Sequence, residues 1–301
     1  LVARNTVSLM KRILITGAFG QLGVACIKQL SHRFNILAVD LFVPDDRKSD
    51  HALALDISDQ TAVDQVKNEF QPDVILNLAA MTNVDGCELN PVGAQSANVD
   101  AVKFLADGFK GHFIQISTDY IFDGNNGPYS EADIPNPISV YGQTKWEADQ
   151  YLESTECIVT TLRPNVVYGY TKYTKASFVK WVVDSLVAKK TINIVDDQWN
   201  NPTWTEALAD VIERVIDKRL LGTHHYGGDR VMNRYEFAHI IADIFELDAS
   251  LIKPIKTVEL NQDAPRPLKS GMKTDKIEKD LGIRPKSVET CLKEIRNQLA
   301  S

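Results

Sequence analysis

Hydrophobic positions along this chain fall into two alternating patterns. Arg12-Ile13-Leu14-Ile15-Thr16 is a short β-branched run of the kind that forms a buried parallel strand, and an amphipathic helical stretch follows it to about Leu30. Asn35 to Val39 predicts a second strand ending at Asp40, and Ala52 to Leu55 is another short apolar stretch. Ser58 or Asp59 then caps a helix running to Phe70. Asp73 to Ala80 predicts a strand with small residues at its end, 91–109 a helix, Gly111 to Ile116 a strand, and Tyr141 opens a further helix. Strand and helix in turn give an α/β fold with a doubly wound parallel sheet. Beyond Tyr168 the pattern is less regular. It holds an aromatic loop (Tyr170 to Tyr173), a helix at about 176–189 with Trp181 on its apolar stripe, and a strand near Ile192 to Val195. Helices over Glu206 to Asp217, Asp275 to Leu281 and Val288 to Leu299 complete a smaller lobe. Residues 1–10 fit neither pattern and read as a mobile extension.

The totals narrow the functional class. A chain of 301 residues with 44% hydrophobic and 24% charged residues can bury a large core. A formal charge of -7 argues against nucleic-acid binding. Cys26, Cys87, Cys157 and Cys291 show no metal-type spacing, and the adjacent His224 and His225 lack a spaced third ligand, so no metal is expected. Widely separated cysteines suit a reduced cytoplasmic setting. The basic-then-apolar stretch from Lys11 to Leu30 is interrupted by Gly17, Gly20, Gln21 and Gly23 and is too short for a bilayer, which argues against a membrane role.

Chemistry enters at the strand ends. The first strand feeds Gly17-Ala18-Phe19-Gly20-Gln21-Leu22-Gly23 and then a helix, an arrangement that lets backbone and helix N-terminus approach a pyrophosphate. It marks a Rossmann-like dinucleotide site. Asp40, about twenty residues on, can accept the adenosine ribose hydroxyls and would repel a 2′-phosphate, so NADH is favoured over NADPH. Arg47 and Lys48 either serve that phosphate or belong to a solvated loop. Ala79 and Ala80 are small enough for a flat cofactor to lie against them, and Thr82 and Val84 follow where a substrate reaches. Ser117 and Thr118 end the next strand. Tyr141 and Lys145 stand four apart, on one helical face, where an ammonium would lower the phenol's pKa and suit it to proton donation. In an open parallel sheet the ligand lies beyond the carboxyl ends of the strands, and the glycine loop, Asp40, Ala79, Thr118 and Tyr141 all fall there. In the second half, Trp199, Asn201 and Thr203 either touch a ligand or form a turn before the next helix. Arg266, between two prolines, can fork onto a pyrophosphate or make a surface salt bridge.

The glycine fingerprint, Asn77-Leu78-Ala79-Ala80, Ser117-Thr118-Asp119-Tyr120-Ile121-Phe122-Asp123-Gly124 and Tyr141-Gly142-Gln143-Thr144-Lys145 resemble the dTDP-4-dehydrorhamnose reductase group of the extended short-chain dehydrogenase/reductase family. So do Val195 to Thr203 and Ala264-Pro265-Arg266-Pro267. The resemblance implies an NAD(P)-binding domain mainly over 11–168 and a substrate lobe mainly over 169–301, interleaved with further sheet elements. It also implies that Asp56 and Ile57 lie against the adenine and that Asn98 turns towards the site. Tyr141 is then the proton donor, Lys145 lowers its pKa and bonds the nicotinamide ribose, and Thr118 positions a C4 carbonyl. Gly17, Phe19, Gly20, Gln21, Leu22, Asp40, Ala79, Ala80 and Ser117 would contact NADH or NADPH; Thr82, Val84, Asp119, Tyr120, Asn165, Trp199 and Arg266 would contact a nucleotide-sugar. Val166 stands where the group often has Trp, which leaves the sugar open. A 4,6-dehydratase would want Asp-Glu where Asp119-Tyr120 stands. A 4-epimerase of the same fold and a non-catalytic regulatory subunit, like that of methionine adenosyltransferase, remain alternatives. A homodimer paired through 91–109 and 141–154 is a further expectation.

Overall fold

The computed structural model describes residues 10–49, 51–173 and 177–300. All of the expected extension (residues 1–10) but Met10, and the start of the expected helix at 176, lie outside the described residues. Seven strands form one parallel sheet: β1 (Arg12–Thr16), β2 (Asn35–Asp40), β3 (Ala52–Ala54), β4 (Val74–Asn77), β5 (His112–Ile116), β6 (Ile158–Pro164) and the strand Gly222–Tyr226. Their spatial order runs Gly222–Tyr226, β6, β5, β4, β1, β2, β3. The chain therefore reverses direction across the sheet between β1 and β4, which opens a crevice beyond their carboxyl ends. β4 is shorter than its apolar run because Leu78 to Ala80 leave the ladder to line that crevice.

The two sheet faces follow the strand period of two. Ile13 and Ile15 point into one core with α1 (Gln21–Leu30), while Leu14 points into the other with Ile75 and Phe113. The second core is closed by α2 (Gln60–Phe70), whose first turn is capped by the Asp59 carboxylate at Ala62 N. Between β4 and β5 lie α3 (Val84–Leu89), α4 (Pro91–Gln95) and α5 (Ala101–Ala106). The single helix predicted over 91–109 is thus broken, because Ser96–Asp100 form a wider π-type turn. That turn buries the Asn98 side chain, which accepts from Met81 N at 2.7 Å and donates to Met81 O at 3.2 Å and Thr144 Oγ1 at 3.1 Å. α6 (Val140–Glu153) starts at Ser139, which caps Gly142 N.

The second half supplies α7 (Phe178–Val187), α8 (Thr205–Lys218), α9 (Arg234–Ile244), α10 (Asp275–Leu281) and α11 (Val288–Ala300). Three two-stranded pairings surround them; one joins Trp199–Asn200 to Met232–Asn233 in antiparallel register. Trp181 is 45% exposed, contrary to its reading as core. The buried stripe of α7 is Val179, Val182 and Leu186, and position 181 lies about 200° round the helix from 179. α9 and its capping box, Asn233 with Glu236, have no counterpart in the sequence reading. His224 and His225 pack within the seventh strand, one against Asp280 and the other against Tyr129 O.

A buried ion pair joins α6 to β6. Arg163 Nη2 and Nε lie 3.2 Å from Asp149 Oδ2, with the two side chains 4% and 1% exposed, and the Ser117 hydroxyl donates to the same oxygen at 2.7 Å. Removing the guanidinium strands the carboxylate. Arg163→Met should destabilise the protein by about 3–5 kcal/mol in urea unfolding, and Arg163→Met with Asp149→Leu should recover most of that loss.

Candidate active site

A cleft of about 980 Å³ runs along the sheet's carboxyl edge, from Asp40 and Asp56 at one end to Tyr120 and Arg234 at the other. At the first end the backbone makes the surface. Gly17 has φ +62°, and a Cβ there would lie 2.8 Å from Ala79 N; one on Gly23 would lie 2.4 Å from Gly17 O. Only glycine lets the loop sit this close to β4 and to the start of α1. Gly20, Gln21 and Leu22 consequently line the cleft at the helix N-terminus, whose free N–H groups and dipole favour an anion. Asp40 is at the wall, accepting from Phe19 N at 2.9 Å and Leu41 N at 2.8 Å. Asp56, Ile57, Ala79 and Ala80 line the same stretch. A backbone cradle closed to side chains, followed by a carboxylate beyond the next strand, fits a dinucleotide.

Phe19 does not join them through its ring. The ring is buried and meets Tyr173 edge-on at 6.2 Å, so only the backbone amide contributes, by fixing Asp40. Arg47 is engaged as well: its Nε donates to the Tyr173 hydroxyl at 2.6 Å, while Lys48 pairs with Asp45 at 2.7 Å.

At the far end, β5 delivers Ser117 and Thr118 and α6 delivers Tyr141, all three on the cleft wall. The Thr118 hydroxyl lies close enough to the Tyr141 phenol to favour its ionised form, while its own proton goes to Asp119 Oδ1 at 3.3 Å. Thr118 also accepts from Tyr120 N at 3.2 Å, and the Tyr120 ring meets that of Tyr141 edge-on at 5.5 Å. Burial raises the phenol's pKa well above its usual value; the nearby Thr118 hydroxyl opposes this and Asp119 adds to it. The expected acidification by Lys145 is therefore absent. Lys145 is buried behind the wall and donates to Ile116 O at 2.7 Å, with its pKa pulled down to about 8 by burial against the opposing charge of Asp149. Ser117 likewise turns its hydroxyl to Asp149, away from the cleft.

Thr82, Val84, Asp119 and Tyr120 line the substrate end as expected, whereas three other candidates do not reach the cleft. Asn165 is fully buried and donates to Ser270 O at 2.5 Å. Trp199 lines a separate cavity of about 210 Å³ with Val231 and Lys269. Arg266 makes a two-pronged contact with Asp85, at 2.5 and 2.8 Å. Asn201 and Thr203 are also structural, bonding Met272 and Asn165.

The sequence reading missed Arg234 and Met81 on the cleft wall. Asn83 and Asn98 mark the segment that holds Met81, and Asn233 with Glu236 three residues on is a legible helix start before Arg234. Val166 lines the cleft with φ +41°, a left-handed conformation that a β-branched residue rarely adopts and that clusters at functional sites.

The sequence from residue 10 to 301 matches the family model described as the RmlD substrate binding domain. The chain is similar to a dTDP-4-dehydrorhamnose reductase of Aggregatibacter actinomycetemcomitans, at 33% identity over 95% of this chain and 99% of that protein. It is also similar to methionine adenosyltransferase 2 subunit beta of Bos taurus, at 36% identity over 81% of this chain and 75% of that one. Among solved structures, dTDP-4-dehydrorhamnose reductase from Bacillus anthracis in complex with NADP superposes with a TM-score of 0.88, at 27% identity, over 96% of this chain and all of the other.

Asp119 offers a test of the site's electrostatics. Burial raises its carboxyl from 3.8 to about 6, against the pull of Ser270 and Arg234. Between about pH 4 and 6 the folded protein thus binds more protons here than the unfolded chain, so this group's contribution to stability falls as pH rises through that window. Asp119→Asn should flatten that slope and raise stability at pH 7 by about 2–3 kcal/mol, read from denaturant unfolding at pH 4, 5, 6 and 7.

Proposed function

The chain belongs to the RmlD substrate binding domain family, and from that membership we propose that it reduces the C4 keto group of a nucleotide-linked 6-deoxy-4-keto sugar. Reductases similar to it are named for dTDP-4-dehydrorhamnose, which makes that compound the reference substrate. The observation that carries the reading is that Thr118 and Tyr141 stand together on the wall of a cleft whose other end is a glycine cradle.

A bound NADH or NADPH supplies the hydride. Thr118 and Tyr141 take the carbonyl oxygen between them and fix its orientation. Tyr141 gives its proton as negative charge develops on that oxygen. A phenol whose pKa burial has raised holds its proton in the resting site and still releases it to an alkoxide, which is the stronger base. Lys145, its pKa pulled down to about 8, braces the end of β5 behind the site through Ile116 O. The substrate lobe over 169–301 closes the far side of the cleft. Asp40 favours NADH, since its carboxylate opposes a 2′-phosphate. The four free thiols suit a reduced cytoplasmic setting, and pairing of two copies through α4–α6 completes the reading.

Oxidation of NADH or NADPH driven by dTDP-4-keto-6-deoxy sugars, followed optically, is the direct test. An epimerase would turn the sugar over without net consumption of reductant, and a regulatory subunit would do neither. Tyr141→Phe should lower kcat by about a hundredfold or more while leaving NADPH binding within about twofold; retention of more than about a tenth of kcat would remove Tyr141 as the donor. Asp40→Ala should shift the ratio of NADH to NADPH affinity towards NADPH by about tenfold, the worth of a hydrogen bond to a charged group. An unchanged ratio would take Asp40 out of cofactor selection.

A further inference from the structure

A nucleotide-sugar reductase must fit two diphosphates into one cleft, and the inference drawn from this constraint rests on the function proposed above. The cofactor's diphosphate falls to the glycine loop and the N-terminus of α1. The substrate's needs a second partner at the Tyr120 end. Arg266 cannot supply a free charge, because both its terminal nitrogens are engaged by Asp85 and one also donates to Ala264 O at 2.6 Å.

We propose that Arg234 takes the diphosphate of the nucleotide-sugar. Among the described residues lining the cleft it is the one Lys or Arg, set against Asp40, Asp56 and Asp119. Its guanidinium lies over the Phe178 ring, 5.4 Å from the centroid, and Phe178 in turn stacks on Phe237 at 5.6 Å. Its backbone is fixed too: the amide donates to Gln198 O at 3.2 Å, and the Asn233–Glu236 capping box holds the first turn of α9. No carboxylate forms an ion pair with Arg234 among the described residues; Asp119 and Tyr120 face it at longer range. A planar cation held on an aromatic face, partly desolvated and short of a counter-ion, is suited to bidentate capture of phosphate oxygens. Burial already disfavours its charged form, and an anionic ligand relieves that penalty. Arg234 lines the same end of the cleft as Asp119 and Tyr120, the residues that follow Thr118, so an anion it holds lies on the substrate side of the carbonyl site and the sugar bridges the two.

The test is calorimetric titration of the full chain with dTDP and with thymidine, in wild type, Arg234→Met and Arg234→Gln, with NADPH titration as the check of folding. Arg234→Met should weaken dTDP by about tenfold or more, leave thymidine and NADPH unchanged, and raise KM for the nucleotide-sugar in step with the loss of dTDP affinity. Binding of dTDP within about twofold of wild type would overturn the proposal. If the Met variant no longer binds NADPH, the Gln variant is read by the same thresholds. A wild type that binds NADPH but not dTDP would instead sink the dTDP-sugar reading, and this inference with it.

Discussion

The ends of β1 and β4 are tied by one hydroxyl. Thr16 Oγ1 donates to Asn77 Oδ1 at 2.5 Å and accepts from the amides of Leu78 and Ala79, each at 3.2 Å. Asn77 continues the tie to Gln115 on β5 at 2.8 Å. All three side chains are buried, so every donor and acceptor left open there would cost free energy. This network fixes how far Leu78 to Ala80 diverge from the ladder, and with it the separation of Gly17 from Ala79. The glycine cradle, the small-residue wall and the position of Thr118 two residues past β5 all depend on that separation. The ligand crevice is therefore set by satisfied polar groups beneath it as much as by the glycines on its surface.

The reacting end is built on the opposite principle: charge is buried and then spaced apart. Tyr141, Lys145 and Asp149 follow one another at intervals of four on a single face of α6, and all three are buried. Helical spacing alone suggested that ammonium and phenol interact directly. In the fold the ammonium reaches sideways to Ile116 O, at the point where β5 leaves the sheet, while Asp149 is neutralised by Arg163 from β6. The phenol faces the cleft with a hydroxyl nearby and no adjacent positive charge, which is why burial dominates its proton affinity. A phenol in that state holds its proton in the folded protein and gives it up chiefly to a strong base.

The legible parts of the chain were those governed by local rules. Strands β1, β2 and β5 and helices α1, α2 and α8 follow from β-branched runs, capping residues and amphipathic spacing, and the parallel order follows from their alternation. Asp40, Ala79, Thr118 and Tyr141 do line one cleft, because each sits at or just past a strand end or in the first turn of a helix, and topology sends those positions to one edge. What failed to read was anything decided by a partner far along the chain. Asp85 neutralises Arg266 across 181 residues, and Ser270 holds Asn165 across 105. Trp199 sits beyond the cleft because its short strand pairs with Met232–Asn233, a contact without local sequence signal. The π-type turn at Ser96–Asp100 was invisible for a related reason: its register is set by Met81 and Thr144, which bracket it in sequence.

The two halves of the cleft consequently offer anions two different kinds of positive charge. The first half presents backbone N–H groups at the start of α1, whose position is dictated by glycines that no side chain can replace without collision. Backbone N–H groups do not titrate, so that positive end is the same at every pH. The second half presents a guanidinium on an aromatic shelf, assembled from α7 and α9, with Asp119 facing it. The strength of that site depends on whether Asp119 carries its charge, and the Asp119 pKa of about 6 lies close to neutrality. One end of the cleft thus offers an anion a fixed backbone surface, and the other a guanidinium whose field is balanced by a buried carboxylate.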